Sequence, residues 1–109
     1  MSRLSSSLMG LLRDPARSVE AQAQVEHIRQ EMLDCMALFL PAKGLRPAVW
    51  TRVEYADDIQ SLWFLRSDVM HMLCDHCGET LAALKVQTLT SLFRGHIPTA
   101  QFASAQRRR

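Results

Sequence analysis

Between Ser18 and Phe39, apolar side chains recur at Ala21, Val25, Ile28, Met32, Cys35 and Phe39, in alternating steps of four and three. Steps of that size fall on one face of an α-helix, so the stretch predicts an amphipathic helix with a heptad-like seam. Ser18 is placed to cap its start, and Glu20 sits in the first turn, where a carboxylate meets the positive end of the helix dipole. Pro41, with Gly44 soon after, stops the helix. Pro47 suits the first turn of a following helix, which begins near Ala48 or alternatively near Tyr55.

Beyond Asp57 the pattern changes. Asp57, Ser61, Asp68, His71 and Asp75 form one polar stripe at helical spacing, surrounded by Ile59, Leu62, Trp63, Phe64, Leu65, Val69, Met70, Met72, Leu73 and Cys74. So wide an apolar arc exceeds what one neighbouring helix covers. The helix from Asp57 to Cys77 is therefore expected at the centre of the fold. Ile59, Leu62, Trp63, Val69, Met70 and Leu73 are expected at an interface with a second chain. Gly78 marks a break, a kink or a tolerated glycine. Glu79 to Arg94 reads as helix again, with Leu81, Ala82, Val86, Leu89, Leu92 and Phe93 on one arc; Gly95 caps it and Pro98 prevents continuation.

These elements predict an all-α fold of two to three long helices forming a helical hairpin or bundle. The expected domain covers residues 18–97, between a flexible leader (1–17) and a basic flexible tail (98–109). An elongated hairpin leaves one side of its central helix wet. Homodimerisation into a bundle of four or more helices covers that side.

Length and composition narrow this picture without changing it. A chain of 109 residues holds one domain. The net charge of +2 conceals an uneven distribution: Ser18 to Phe93 carries ten acidic residues against six Lys or Arg. The positive excess lies toward the ends, in Arg3, Arg13 and Arg17 and in Arg94, Arg107, Arg108 and Arg109. Basic ends on an acidic body suit contact with phosphates or with a partner protein, and they also simply aid solubility. The last four are the candidates for nucleic-acid contact. Three cysteines and no apolar run long enough for export or membrane spanning point to a reducing cytoplasm and no membrane association.

One cluster carries candidate chemistry. In His71-Met-Leu-Cys74-Asp-His76-Cys77, two thiols at Cys-x-x-Cys spacing and an imidazole one turn earlier make His71, Cys74 and Cys77 candidate metal ligands. The fourth ligand that a structural zinc site needs has no counterpart nearby in sequence. As a redox pair, Cys74 and Cys77 lack the strand-then-helix-start setting that lowers a thiol's pKa. The plainer reading packs Cys74 as a small apolar side chain, with no cofactor bound.

The segment with Leu81-Ala82, Val86, Thr90-Ser91-Leu92, Arg94-Gly95 and Pro98 resembles the helix-turn-helix of phage-repressor-like regulators. It departs from that motif at Leu84-Lys85, where the turn usually carries glycine, and in the short distance from Val86 to Gly95. It does not amount to a family assignment. No Gly-rich phosphate loop appears, and no serine has a base and an orienting acid nearby. The expectation is a non-enzymatic helical interaction module, an adaptor, small chaperone or regulatory subunit acting as a homodimer. The alternatives are a nucleic-acid-binding regulator using the basic tails or the C-terminal helix, and a metal or redox protein centred on Cys74 and Cys77.

Overall fold

A computed structural model describes residues 15–98 and 100–102, the first four as backbone only. Five helices follow in order: α1 (Pro15–Ala37), α2 (Ala48–Tyr55), α3 (Ile59–Phe64), α4 (Arg66–Cys77) and α5 (Glu79–Ser91). Turns carry the chain from Leu92 to Ile97, and residues 100–102 are helical again. Among the described residues no strand forms, and no helix is long and apolar enough to cross a membrane.

Helix α1 is already formed at Pro15, where the described residues begin, so Ser18 lies within the helix and not at its cap. It ends at Ala37, where the Phe39 and Leu40 amides bond three residues back, to Met36 and Ala37, and tighten the chain out of the helix. Val25, Ile28 and Met32 of the predicted seam are buried, and Leu33 and Met36 join them. Ala21 is exposed, while Cys35 and Phe39 are half-buried. The added pair widens the seam into a broad stripe. In consequence α1 touches each of the other four helices, as does the helix Arg66–Cys77 within the stretch expected at the centre.

The long helix expected from Asp57 to Cys77 is two helices. The Asp58 carboxylate accepts the Ser61 amide at 2.8 Å and fixes the start of α3. Leu65, at φ −80° and ψ −7°, interrupts the helix before α4 begins. Leu62, Trp63, Val69 and Leu73 are each at most 3 % exposed within a single chain. Fully burying an aliphatic side chain of this size contributes about 1.5–3 kcal/mol. These four positions are therefore core, correcting their assignment to an interface; Ile59 and Met70 are partly buried against them.

Gly78 breaks the chain between α4 and α5, at φ 84° and ψ 164°. Only glycine adopts that conformation without strain, although a Cβ there would meet nothing within 4 Å. The helices on either side pack closely along each other. Helix α5 turns Ala82, Val86, Leu89 and Thr90 inward, and leaves Leu81 outside the predicted arc. Phe93, Ile97 and Phe102 then close the core, so residues 100–102 belong with the domain and not with a tail from residue 98.

Candidate interaction surfaces

The thiols and imidazoles do not assemble into a metal centre. Cys74 and Cys77 are half-buried in the last turns of α4, whereas His71 is exposed on the same helix. His76 Nδ1 lies 2.9 Å from the Met72 carbonyl, tied to its own helix. Among the described residues no group of three or more His, Cys, Asp or Glu is arranged to hold a metal ion. The candidate set His71, Cys74 and Cys77 is thus not brought together. The reason is helical: His71 and Cys77, six residues apart on α4, sit about 120° apart round its axis, so one ion does not meet both.

The thiols are also poorly set for redox work. Cys35, Cys74 and Cys77 are all free. Burial pushes the Cys35 thiol up, against a partial pull from the Lys85 ammonium. Lost hydration and then the Glu79 and Asp75 carboxylates push Cys74 up. Position adds to this, since the C-terminal end of α4 is the negative end of its dipole and disfavours a thiolate.

The nucleic-acid candidates divide. The Arg94 guanidinium lies 4.9 Å above the Phe102 ring, and Arg107, Arg108 and Arg109 fall outside the described residues. The turn that a helix-turn-helix requires at Leu84-Lys85 is absent, because α5 runs unbroken from Glu79 to Ser91. No glycine or proline relaxes the helix there.

Trp63 organises one side of the molecule. Its ring meets Phe93 edge-on, with centroids 5.2 Å apart, and stacks on Phe102 at 5.9 Å. The Arg66 guanidinium lies 3.3 Å from its centroid. Arg66 also donates to the Trp63 carbonyl and to Thr90 Oγ1, both at 3.0 Å. Thr90 in turn donates to the Val86 carbonyl at 2.8 Å, so this buried hydroxyl is satisfied on both sides.

Arg29 locks a second junction. Its Nη1 is 2.9 Å from the Val53 carbonyl, 3.0 Å from that of Glu54 and 2.7 Å from that of Ala56. A cation so placed neutralises the negative end of α2. Glu26 grips the other edge of the guanidinium, accepting Nε at 3.1 Å and Nη2 at 3.0 Å. That contact holds the Glu26 carboxyl below its ordinary range.

Among the described residues, two open surfaces lie toward opposite ends of α1. Toward the N-terminal end, an open groove of about 630 Å³ has Ala21, Val25 and Ile59 among its apolar lining. Glu20 from α1 and Asp57 and Asp58 from the α2–α3 connection bring carboxylates to it, with Gln22, Gln24, Gly95 and His96. Among the described residues, no lysine or arginine lines it. Its start is marked by the Asp58 cap, where hydrogen bonding to Ser61 holds the carboxyl below its ordinary range.

Toward the C-terminal end, a cavity of about 270 Å³ lies between α1 and α5. Glu31, Asp34, Cys35 and Leu38 form one wall, and Lys85, Thr88 and Leu89 form the other. Leu81 and Leu84 share a helix face with Lys85 and Thr88, at steps of three and four, and extend that wall outward. Leu38, Leu84 and Leu81 are 67 %, 57 % and 41 % exposed. The rims carry both signs of charge.

Sequence reasoning missed this leucine face because Leu81 had been assigned to the buried arc and Leu38 to the end of a longer helix. A sharper signal was present: Leu81, Leu84 and Lys85 form a second face, distinct from the Ala82–Val86–Leu89 face. The acidic groove gave no local signal, since its carboxylates are far apart in sequence. Together the fold and its surfaces define, among the described residues, an all-α domain with two open faces and no group of His, Cys, Asp or Glu arranged to hold a metal ion. Searches of family models, curated proteins and solved structures find no match to the chain.

Proposed function

We propose that the protein is a helical interaction module, acting by contact with other protein chains in the cytoplasm, and that a second copy of itself is one such partner. The observation that carries this reading is the cluster of exposed Leu38, Leu81 and Leu84 beside the two-sign cavity between α1 and α5. Leucines exposed to this degree around a cavity make a surface that gains by being covered. A two-fold contact pairs one patch with its own copy, so the patch must be self-complementary. This one has the composition for it: leucines to set against leucines, and Lys85 together with the opposite charges of Glu31 and Asp34.

Sedimentation velocity over a micromolar concentration series tests it. The full chain is expected to self-associate, and Leu81→Ser with Leu84→Ser to weaken association about tenfold, the equivalent of about 1.4 kcal/mol. Both positions are exposed, so the unfolding midpoint should hardly move. A full chain that stays monomeric through the series, or a double variant that associates as tightly as the parent, removes this reading.

A further inference from the structure

We propose that the groove toward the N-terminal end of α1 is a docking site for a basic segment of another protein, one in which lysine or arginine side chains flank an aliphatic anchor. The lining carries the inference. Ala21, Val25 and Ile59 offer an apolar floor for an aliphatic side chain, and Glu20, Asp57 and Asp58 supply negative charge from two separate elements. Among the described residues no lysine or arginine joins the lining, so its described charge is of one sign. A cation lying between α1 and the α2–α3 connection meets carboxylates from both, and the charge repels phosphates of nucleic acid or anionic lipid.

The groove is also preformed. The Arg29 lock holds α1 to the end of α2, and the Asp58 cap fixes the start of α3. Gln60 donates to Gln101 at 3.3 Å, tying α3 to residues 100–102. Walls fixed in this way spare a ligand the cost of ordering them. At about 630 Å³ the groove falls within the ordinary size of ligand sites, ~300–1,000 Å³. It lies on a different surface from the leucine face, so either proposal stands if the other fails.

Fluorescence anisotropy of a labelled Leu-Arg-Arg-Leu-Arg-Arg peptide against the full chain tests it. Binding is expected at low salt, weakening as salt rises. Neutralising two carboxylates by Glu20→Gln with Asp57→Asn should weaken it about fivefold. The same charge change made elsewhere, by Asp75→Asn with Glu79→Gln, should leave the affinity unchanged. Equal weakening by both pairs of substitutions overturns the site, because it shows only diffuse attraction. Binding of a Leu-Gln-Gln-Leu-Gln-Gln peptide as tight as that of the basic one also overturns it, as does no binding at low salt. Binding that appears only after removal of residues 1–14 or 103–109 assigns the groove to the chain's own ends and overturns the proposal too. Urea unfolding checks that each variant folds; if the groove pair loses stability, Glu20→Gln alone, on an exposed face of α1, carries the same comparison.

Discussion

The two ends of α1 present opposite solutions to the same problem of finishing a small helical core. Toward the N-terminal end, polar and aromatic locks hold the walls: Arg29 on the α2 carbonyls, Asp58 on the start of α3, and Trp63 among Phe93, Phe102 and Arg66. Toward the C-terminal end, the link from α5 to Phe39 is a Lys85 ammonium 5.9 Å from the ring centroid, and leucines stand exposed around it. The first region is held by directional contacts, and the described lining of its groove sets carboxylates beside an apolar floor. The second is greasy and carries both signs. The difference teaches that burial alone does not finish this fold: one end is completed by directional contacts, while the other leaves its leucines exposed.

The comparison breaks most severely at Trp63. Trp63→Ala removes the ring on which Phe93, Phe102 and Arg66 converge, and a buried tryptophan truncated to alanine costs about 3–5 kcal/mol. Urea unfolding followed by far-UV circular dichroism measures it. A loss under 1 kcal/mol would mean that the α3 side draws little stability from this cluster, contrary to its geometry. Arg29→Met is the next step down. It keeps an apolar stem in a side chain only 13 % exposed but strips the cation from the carbonyls of Val53, Glu54 and Ala56. Hydrogen bonds to charged groups contribute about 1.5–3 kcal/mol, and that is the expected fall in unfolding free energy. Amide exchange should show the loss concentrated at the end of α2, with the turns of α1 nearest Leu38 protected as before. Uniform loss along α1 would erase the distinction between its two ends.

How far this contrast was legible in the sequence depended on distance along the chain. The all-helical class follows from local spacing, whereas proline and glycine left the start of α2 open between Ala48 and Tyr55 and left Gly78 open between a break, a kink and a tolerated glycine. The seam of α1 was visible but too narrow: Leu33 and Met36 lie one step off the heptad, and only packing on several sides recruits them. Leu65 has neither glycine nor proline to announce an interruption, so Asp57 to Cys77 read as one overloaded helix that needed a second chain. Asp58 was the available clue, an N-cap residue directly before an apolar run. Phe102 against Trp63, and Glu20 beside Asp57, are pairings between distant segments, and periodicity within one element is silent about them.

The smallest expected effect is at Asp58, and its sign follows from its hydrogen bonds. Its carboxylate accepts the Ser61 amide at 2.8 Å, and bonding to Ser61 stabilises the charged form, so its pKa lies lower in the folded chain than in the unfolded one. A group shifted down in this way adds stability above its unfolded pKa, about 3.9 for aspartate, and loses it as pH falls through the lower folded value. Asp58→Asn keeps an oxygen acceptor for the Ser61 amide but has no proton to bind. Unfolding midpoints of parent and variant, followed from neutral pH into acid, should therefore converge as pH drops below about 4. The parent should lead above that pH, because a carboxylate suits the N-terminal end of α3 better than an amide does. Parallel profiles through the acid range would mean that the carboxylate charge adds nothing to this junction. The groove would then keep Asp58 as part of its negative wall, while the start of α3 would depend on the neutral hydrogen bond alone.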